Sequence, residues 1–225
     1  MANARFRRAR VEFALASLRR KHMEHLQSLA LAAGLSWASG VRMYAAVFIV
    51  GLLGRFGYVH LPEHLQLLEH NGVLIASGIM LFAEFLADKV PGFDSAWDSI
   101  HTFIRIPIGA MLAWGALSDA GPEAQFIAAI LGGAITGGTH LAKMSARAAI
   151  NTSPEPFTNW AASFGEDGML LAGLWLTFRH PLAFLVLLVL FLAFVVWLVP
   201  KLVRFLRGVW RKFKGERPAP NALTN

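Results

Sequence analysis

The chain has no cysteine among its 225 residues. Disulfides, thiolate metal sites and thiol redox chemistry are therefore excluded. Charge is scarce too. Charged residues make up 16% and hydrophobic ones 56%, where a soluble domain carries about 25% charged residues. Acids are sparse at both ends, where base dominates. Arg5, Arg7, Arg8, Arg10, Arg19, Arg20 and Lys21 open the chain, and Lys201, Arg204, Arg207, Arg211, Lys212, Lys214 and Arg217 close it. The stretch from Glu63 to Asp167 holds eleven acids. The formal charge of +7 thus averages two basic tails and an acidic middle. Beside apolar runs, basic tails point to anionic lipid headgroups and not to nucleic acid, for which no recognition motif is present. No signal peptide is expected, because no small-residue cleavage site precedes the first apolar run.

Apolar runs are what the chain has in abundance. A helix that crosses a bilayer needs about 20 such residues. Leu182–Val199 is free of charge and bordered by Pro181 and Pro200. Gln125–Ala142 is rich in glycine, and four further runs carry charges: Leu29–Gly54, Val73–Ala87, Ser95–Leu117 and Phe157–Phe178. The expected fold is an all-α, polytopic transmembrane helical bundle of about six spans. Broken or re-entrant segments are expected at two cytoplasmic-side hairpins, Ser153–Gly165 among them. Residues 1–27 form a basic tail, with an amphipathic surface helix as one reading and a solvated tail as the other. Residues 28–203 form the bundle and 204–225 a second basic tail. An even number of spans with two basic ends places both termini in the cytoplasm, and the expected location is a bacterial inner membrane. Leu61, Leu65 and Leu68 suggest a short surface helix in the loop after Gly54. Gly132, Gly133, Gly137 and Gly138 would let a neighbouring helix approach closely.

Charges inside the runs are the candidate site. Asp94, Asp98, His101 and Arg105 are spaced 4, 3 and 4 apart, within an arc of about 60° on one helix face and along roughly 16 Å of its length. Such side chains are costly in lipid unless paired or hydrated. Their two readings are a hydrated binding cavity and a ladder of pairs that satisfies itself. Glu84 and Asp88 repeat the spacing before the Lys89–Gly92 turn. Asp94, Asp98 and His101 are the candidate metal ligands, although the pattern matches no strong metal signature. Glu166 and Asp167 lie halfway along their run, as counter-ions of Arg42 or Arg105 or as proton-binding acids. Arg42 follows the small residues Ser36, Ser39 and Gly40. Lys143, Arg147 and Asn151 form a stripe at an inner helix end.

Three segments carry a family resemblance: Gly34–Tyr44 (GLSWASGVRMY), Glu84–Arg105 (EFLADKVPGFDSAWDSIHTFIR) and Ala146–Pro156 (ARAAINTSPEP). They resemble the uncharacterised bacterial membrane family known as domain of unknown function 4126, over about residues 28–200. The resemblance leaves the activity and any cofactor unknown. It implies that the three segments belong to one site, which adds Glu155 to the candidates. The function expected first is a transporter or channel for a small solute or ion, with proton coupling. A membrane enzyme acting on a lipid or phosphorylated substrate, and a structural assembly subunit, stay open, as does a homo-oligomer.

Overall fold

The computed structural model describes residues 2–90, 93–152 and 156–213. All regular structure among them is helical: α1 (Ala2–Arg55), α2 (Asn71–Ala87), α3 (Phe93–Ala116), α4 (Pro122–Ile150), α5 (Pro156–Arg179) and α6 (Pro181–Phe213). Short 3-10 helices, Glu63–Glu69 and Ser118–Ala120, link α1 to α2 and α3 to α4. Pro122, Pro156 and Pro181 each stand first in their helix, where a missing N–H costs nothing. Pro200 does not border a helix as expected. It lies inside α6, and the helix continues to Phe213.

The decisive local feature is one residue. Arg42 has φ −147° and ψ 92°, non-helical values inside α1. The contacts on either side of it run in opposite directions. Before Arg42, Gly34 lies under Thr177 and Trp37 against Gly173. Ser36 hydrogen-bonds the Gly109 carbonyl, and Gly40 abuts Thr136 and Thr139. After Arg42, Gly78 lies under Phe48, Gly51 meets Leu68 and Leu74, and Gly54 meets Leu61 and Glu69. The 3-10 helix reached in this way touches the far end of α3, through Leu65 on Gly115 and His64 stacked 4.4 Å from Trp114. Both arms of α1 therefore open at one end of the bundle, and Arg42 is the apex, midway along α3.

Leu29–Gly54, expected as one span, is therefore two arms that meet at Arg42. Two helices, Leu15–Arg55 and Pro181–Phe205, are long and apolar enough to cross a membrane, or three if the pair Glu63–Glu69 and Asn71–Ala87, bent by 64°, is one span. Length misleads for the first, because its arms double back. The break also lies elsewhere than expected: α3 and α5 run unbroken from Phe93 and Pro156, so Phe157–Gly165 is plain helix, while residues 153–155 fall outside the described residues.

Packing is inside out. Arg42, Arg105 and Arg147 are among the largest fully buried side chains, while Ile79, Phe103, Phe126, Trp160, Val189 and Val196 are exposed. Exposed apolar surface on this scale marks contact with a partner or a membrane. The buried apolar residues cluster around Leu35, Ala113, Leu170 and Phe184. The Glu63–Glu69 helix lies at the surface as expected, with Leu65 and Leu68 turned into this cluster and Glu63, His64, Gln66 and Leu67 exposed. Of the four α4 glycines only Gly132 makes a close approach; a methyl there would lie 2.4 Å from Ala113 Cβ, whereas Gly138 has nothing within 4 Å.

Candidate functional site

Five elements bring their charges to the α1 apex. Arg42 is fully buried and pairs with Asp88 (Nη2–Oδ2 2.9 Å) and Asp167 (Nε–Oδ1 2.9 Å), with Glu166 at 3.8 Å. It also donates to Ser163 Oγ at 2.7 Å. Arg105, one helix away, pairs with Glu84 and with Asp98 at 2.9 Å and donates to the Val41 carbonyl at 3.0 Å. Val41 closes the first arm of α1. Its carbonyl belongs to a helix C-terminus, where partial negative charge gathers and cations are favoured. Lys143 is the second cation there, 3.3 Å from the same oxygen.

Arg147 extends the network towards the α2–α3 and α4–α5 turns. It pairs with Glu166 at 2.8 Å, lies 3.8 Å from Asp88 and 3.9 Å from Asp94, and donates to Asn159 Oδ1 at 3.3 Å. Asn151 donates to Asp94 Oδ1 at 2.9 Å and accepts from Asn159 at 3.1 Å. Lys143 and Arg147, expected on a stripe at an inner helix end, lie in the last turns of α4, which ends at Ile150. Lys89, in the turn after α2, sits over the Phe85 ring at 3.1 Å. Burial first, and then the charge of Arg42, push its ammonium below the usual lysine range.

The sequence-predicted residues thus divide. Arg42, Glu84, Asp88, Asp94, Asp98, Arg105, Lys143, Arg147, Asn151, Glu166 and Asp167 form one connected network. His101 is buried on the same face as Asp98 but takes no part. It stacks on Trp97 at 4.2 Å, meets Tyr44 edge-on at 5.8 Å, and bonds the Trp97 carbonyl through Nδ1. Glu155 lies outside the described residues. Asp94, Asp98 and His101 have separate partners, and among the described residues no group of three or more histidines or carboxylates could hold a metal ion.

Ser163, Asn159 and His140 were missed. His140 Nε2 lies 2.8 Å from Thr102 Oγ1 and 3.1 Å from the Asp98 carbonyl, and so ties α4 to α3 beneath Arg105. Its spacing, three residues before Lys143 in a glycine-rich run, was a readable signal. Ser163 and Asn159, at i, i+4 on α5, carried none beyond being polar.

Six carboxylates (Glu84, Asp88, Asp94, Asp98, Glu166 and Asp167) meet four cations (Arg42, Arg105, Lys143 and Arg147) in this network. Lys89 at the rim reduces the excess of negative charge to one. Burying such groups unpaired costs several kcal/mol each, which explains why every cation touches at least two acids. The arrangement can hold a positive charge; beside it the Thr102 hydroxyl faces His140 Nε2 at 2.8 Å and the Ser163 hydroxyl faces Lys89 Nζ at 3.5 Å.

Residues 29–201 match a family model described as Domain of unknown function (DUF4126). No curated protein and no solved structure matches the chain.

Proposed function

The chain belongs to the domain of unknown function 4126 family, and from that premise we propose that it is a multi-pass protein of a bacterial inner membrane that transports a small ion or solute through the charged centre. The carrying observation is the apex of α1. A chain break in the middle of a bundle, with its backbone carbonyl and Arg42 inside a buried ionic network, suits a place where irregular backbone lines a polar path. Purely structural helices in lipid have little use for eight buried charges.

Five spans, α2 to α6, and one re-entrant hairpin make up the proposed topology. The 17 residues of α2 are near the lower limit for a crossing, and the 33 of α6, about 50 Å long, exceed a bilayer core of about 30 Å. Single-cysteine labelling starts from a cysteine-free background. In oriented vesicles, His22→Cys and Asp119→Cys are expected to label from one side, and Thr152→Cys and Arg207→Cys from the other. Labelling of His22→Cys and Arg207→Cys from the same side would restore the even-span topology.

Flux tests the activity. Purified protein in liposomes is expected to pass small cations or to move protons against them. Asp98→Asn, which removes one carboxylate charge facing Lys143 and Arg105, is expected to lose most of that flux while remaining folded. Equal flux in empty liposomes, or an unchanged rate in the variant, would remove the transport reading and leave a structural lock as the role of the network.

A further inference from the structure

We infer that the Lys143 ammonium fills a binding site for a monovalent cation of ammonium size, and that the transported cation takes its place when the lysine withdraws. The inference rests on the transport reading and names its substrate class. Four oxygens from four separate segments surround Nζ: Val41 O of the α1 apex at 3.3 Å, Asp98 Oδ2 of α3 and Glu166 Oε2 of α5 at 3.4 Å, and Asp88 Oδ2 at the end of α2 at 3.6 Å. The side chain is 4% exposed. Three carboxylates and a helix C-terminal carbonyl form a cage for one positive charge.

Lys143 holds this cage loosely. The three buried arginines each make an ion pair of 2.9 Å or less, whereas every Lys143 contact is at least 3.3 Å. A compact ammonium on a flexible four-carbon stem is the kind of group that can leave. The acids also have capacity to spare. Asp88 is fully buried, its Oδ2 is shared by Arg42, Lys143 and Arg147, and its Oδ1 has no hydrogen-bond partner. Glu84 Oε2 likewise has none. The cage is too wide for a divalent metal, whose oxygen ligands stand about 2.1 Å (magnesium) or about 2.3–2.6 Å (calcium) away. A nitrogen-centred cation needs contacts of about 2.9 Å, closer to the 3.3–3.6 Å found around Nζ.

The test uses the full-length protein in detergent and reads thermal unfolding in ammonium, methylammonium, choline and magnesium chlorides at matched ionic strength. Lys143→Ala is expected to unfold at a lower temperature than the parent. Ammonium or methylammonium near saturation should raise its Tm by about 5–10 °C; choline and magnesium should not. The parent should not respond, because its own ammonium fills the cage, and adding Asp98→Asn to Lys143→Ala should abolish the response. Should Lys143→Ala yield no folded protein, Lys143→Gln with ammonium as probe replaces it. A Tm in either variant that responds no more than the parent's, or an equal response to magnesium, overturns the inference. Methylammonium uptake into proteoliposomes separates the two readings. Binding that depends on Lys143 without uptake removes transport and keeps the site; uptake without such binding keeps transport and removes the site.

Discussion

Arg105→Met is expected to destabilise the protein by about 3–5 kcal/mol, the size typical of stripping one partner from a buried ion pair. Arg105 is fully buried and neutralises two fully buried acids, Glu84 and Asp98. It also caps the Val41 carbonyl. Without it, Glu84 has no cation in contact, and Asp98 retains only Lys143 at 3.4 Å. Glu84→Gln alone should cost less, because Arg105 keeps Asp98. The double variant Arg105→Met with Glu84→Gln should be more stable than Arg105→Met alone, since it no longer strands a charge. The measurement is thermal unfolding and folded yield in detergent for the four proteins of the cycle. Strictly additive losses would mean that the two side chains are separately hydrated and that the network is not a closed unit.

Gly40→Val is the second change with a large expected effect, about 3 kcal/mol or loss of the folded protein, at the upper end for overpacking. Gly40 stands two residues before the apex. A Cβ there would lie 2.6 Å from Thr139 Cβ and 2.7 Å from the Thr136 carbonyl oxygen. The second of these is backbone of α4 and cannot rotate away. The first arm of α1 would have to move off α4, taking Val41 from Lys143 and Arg42 from its acids. Gly138→Ala on the same α4 is the control. It has nothing within 4 Å, so it should be neutral or stabilising by up to about 1 kcal/mol through helix propensity. Equal losses in the two variants, read by thermal unfolding, would show that glycine at Gly40 serves something other than close approach.

Much of this was open to a reading of residues alone. Apolar runs with few charges determine helices and an apolar exterior, since hydrogen bonds within each segment satisfy the backbone. Charges placed inside those runs need partners, so the chain by itself says that Arg42, Glu84, Asp98, Arg105 and Glu166 meet other charges. The 4, 3, 4 spacing on α3 determines a buried face, and Asp94, Asp98, His101 and Arg105 are all buried. What periodicity cannot say is which groups meet. His101 shares that face and still packs on Trp97 and Tyr44, because a residue's partner depends on the helix opposite. Arg42 was expected to reach Glu166 or Asp167 and does; Arg105 takes Glu84 and Asp98 instead.

The direction of α1 was decided by tertiary structure alone. Leu29–Gly54 reads as one long apolar segment, and hydropathy carries no information about whether such a segment crosses or returns. The reversal needs one residue out of the helical region, at Arg42. That conformation is held by distant groups: Arg105 and Lys143 on the Val41 carbonyl, Asp88 and Asp167 on the Arg42 side chain. A helix end left without partners at that depth would be costly. The sequence supplies the arginine and the glycine beside it, and only the assembled helices supply the oxygens and cations that make the turn stable.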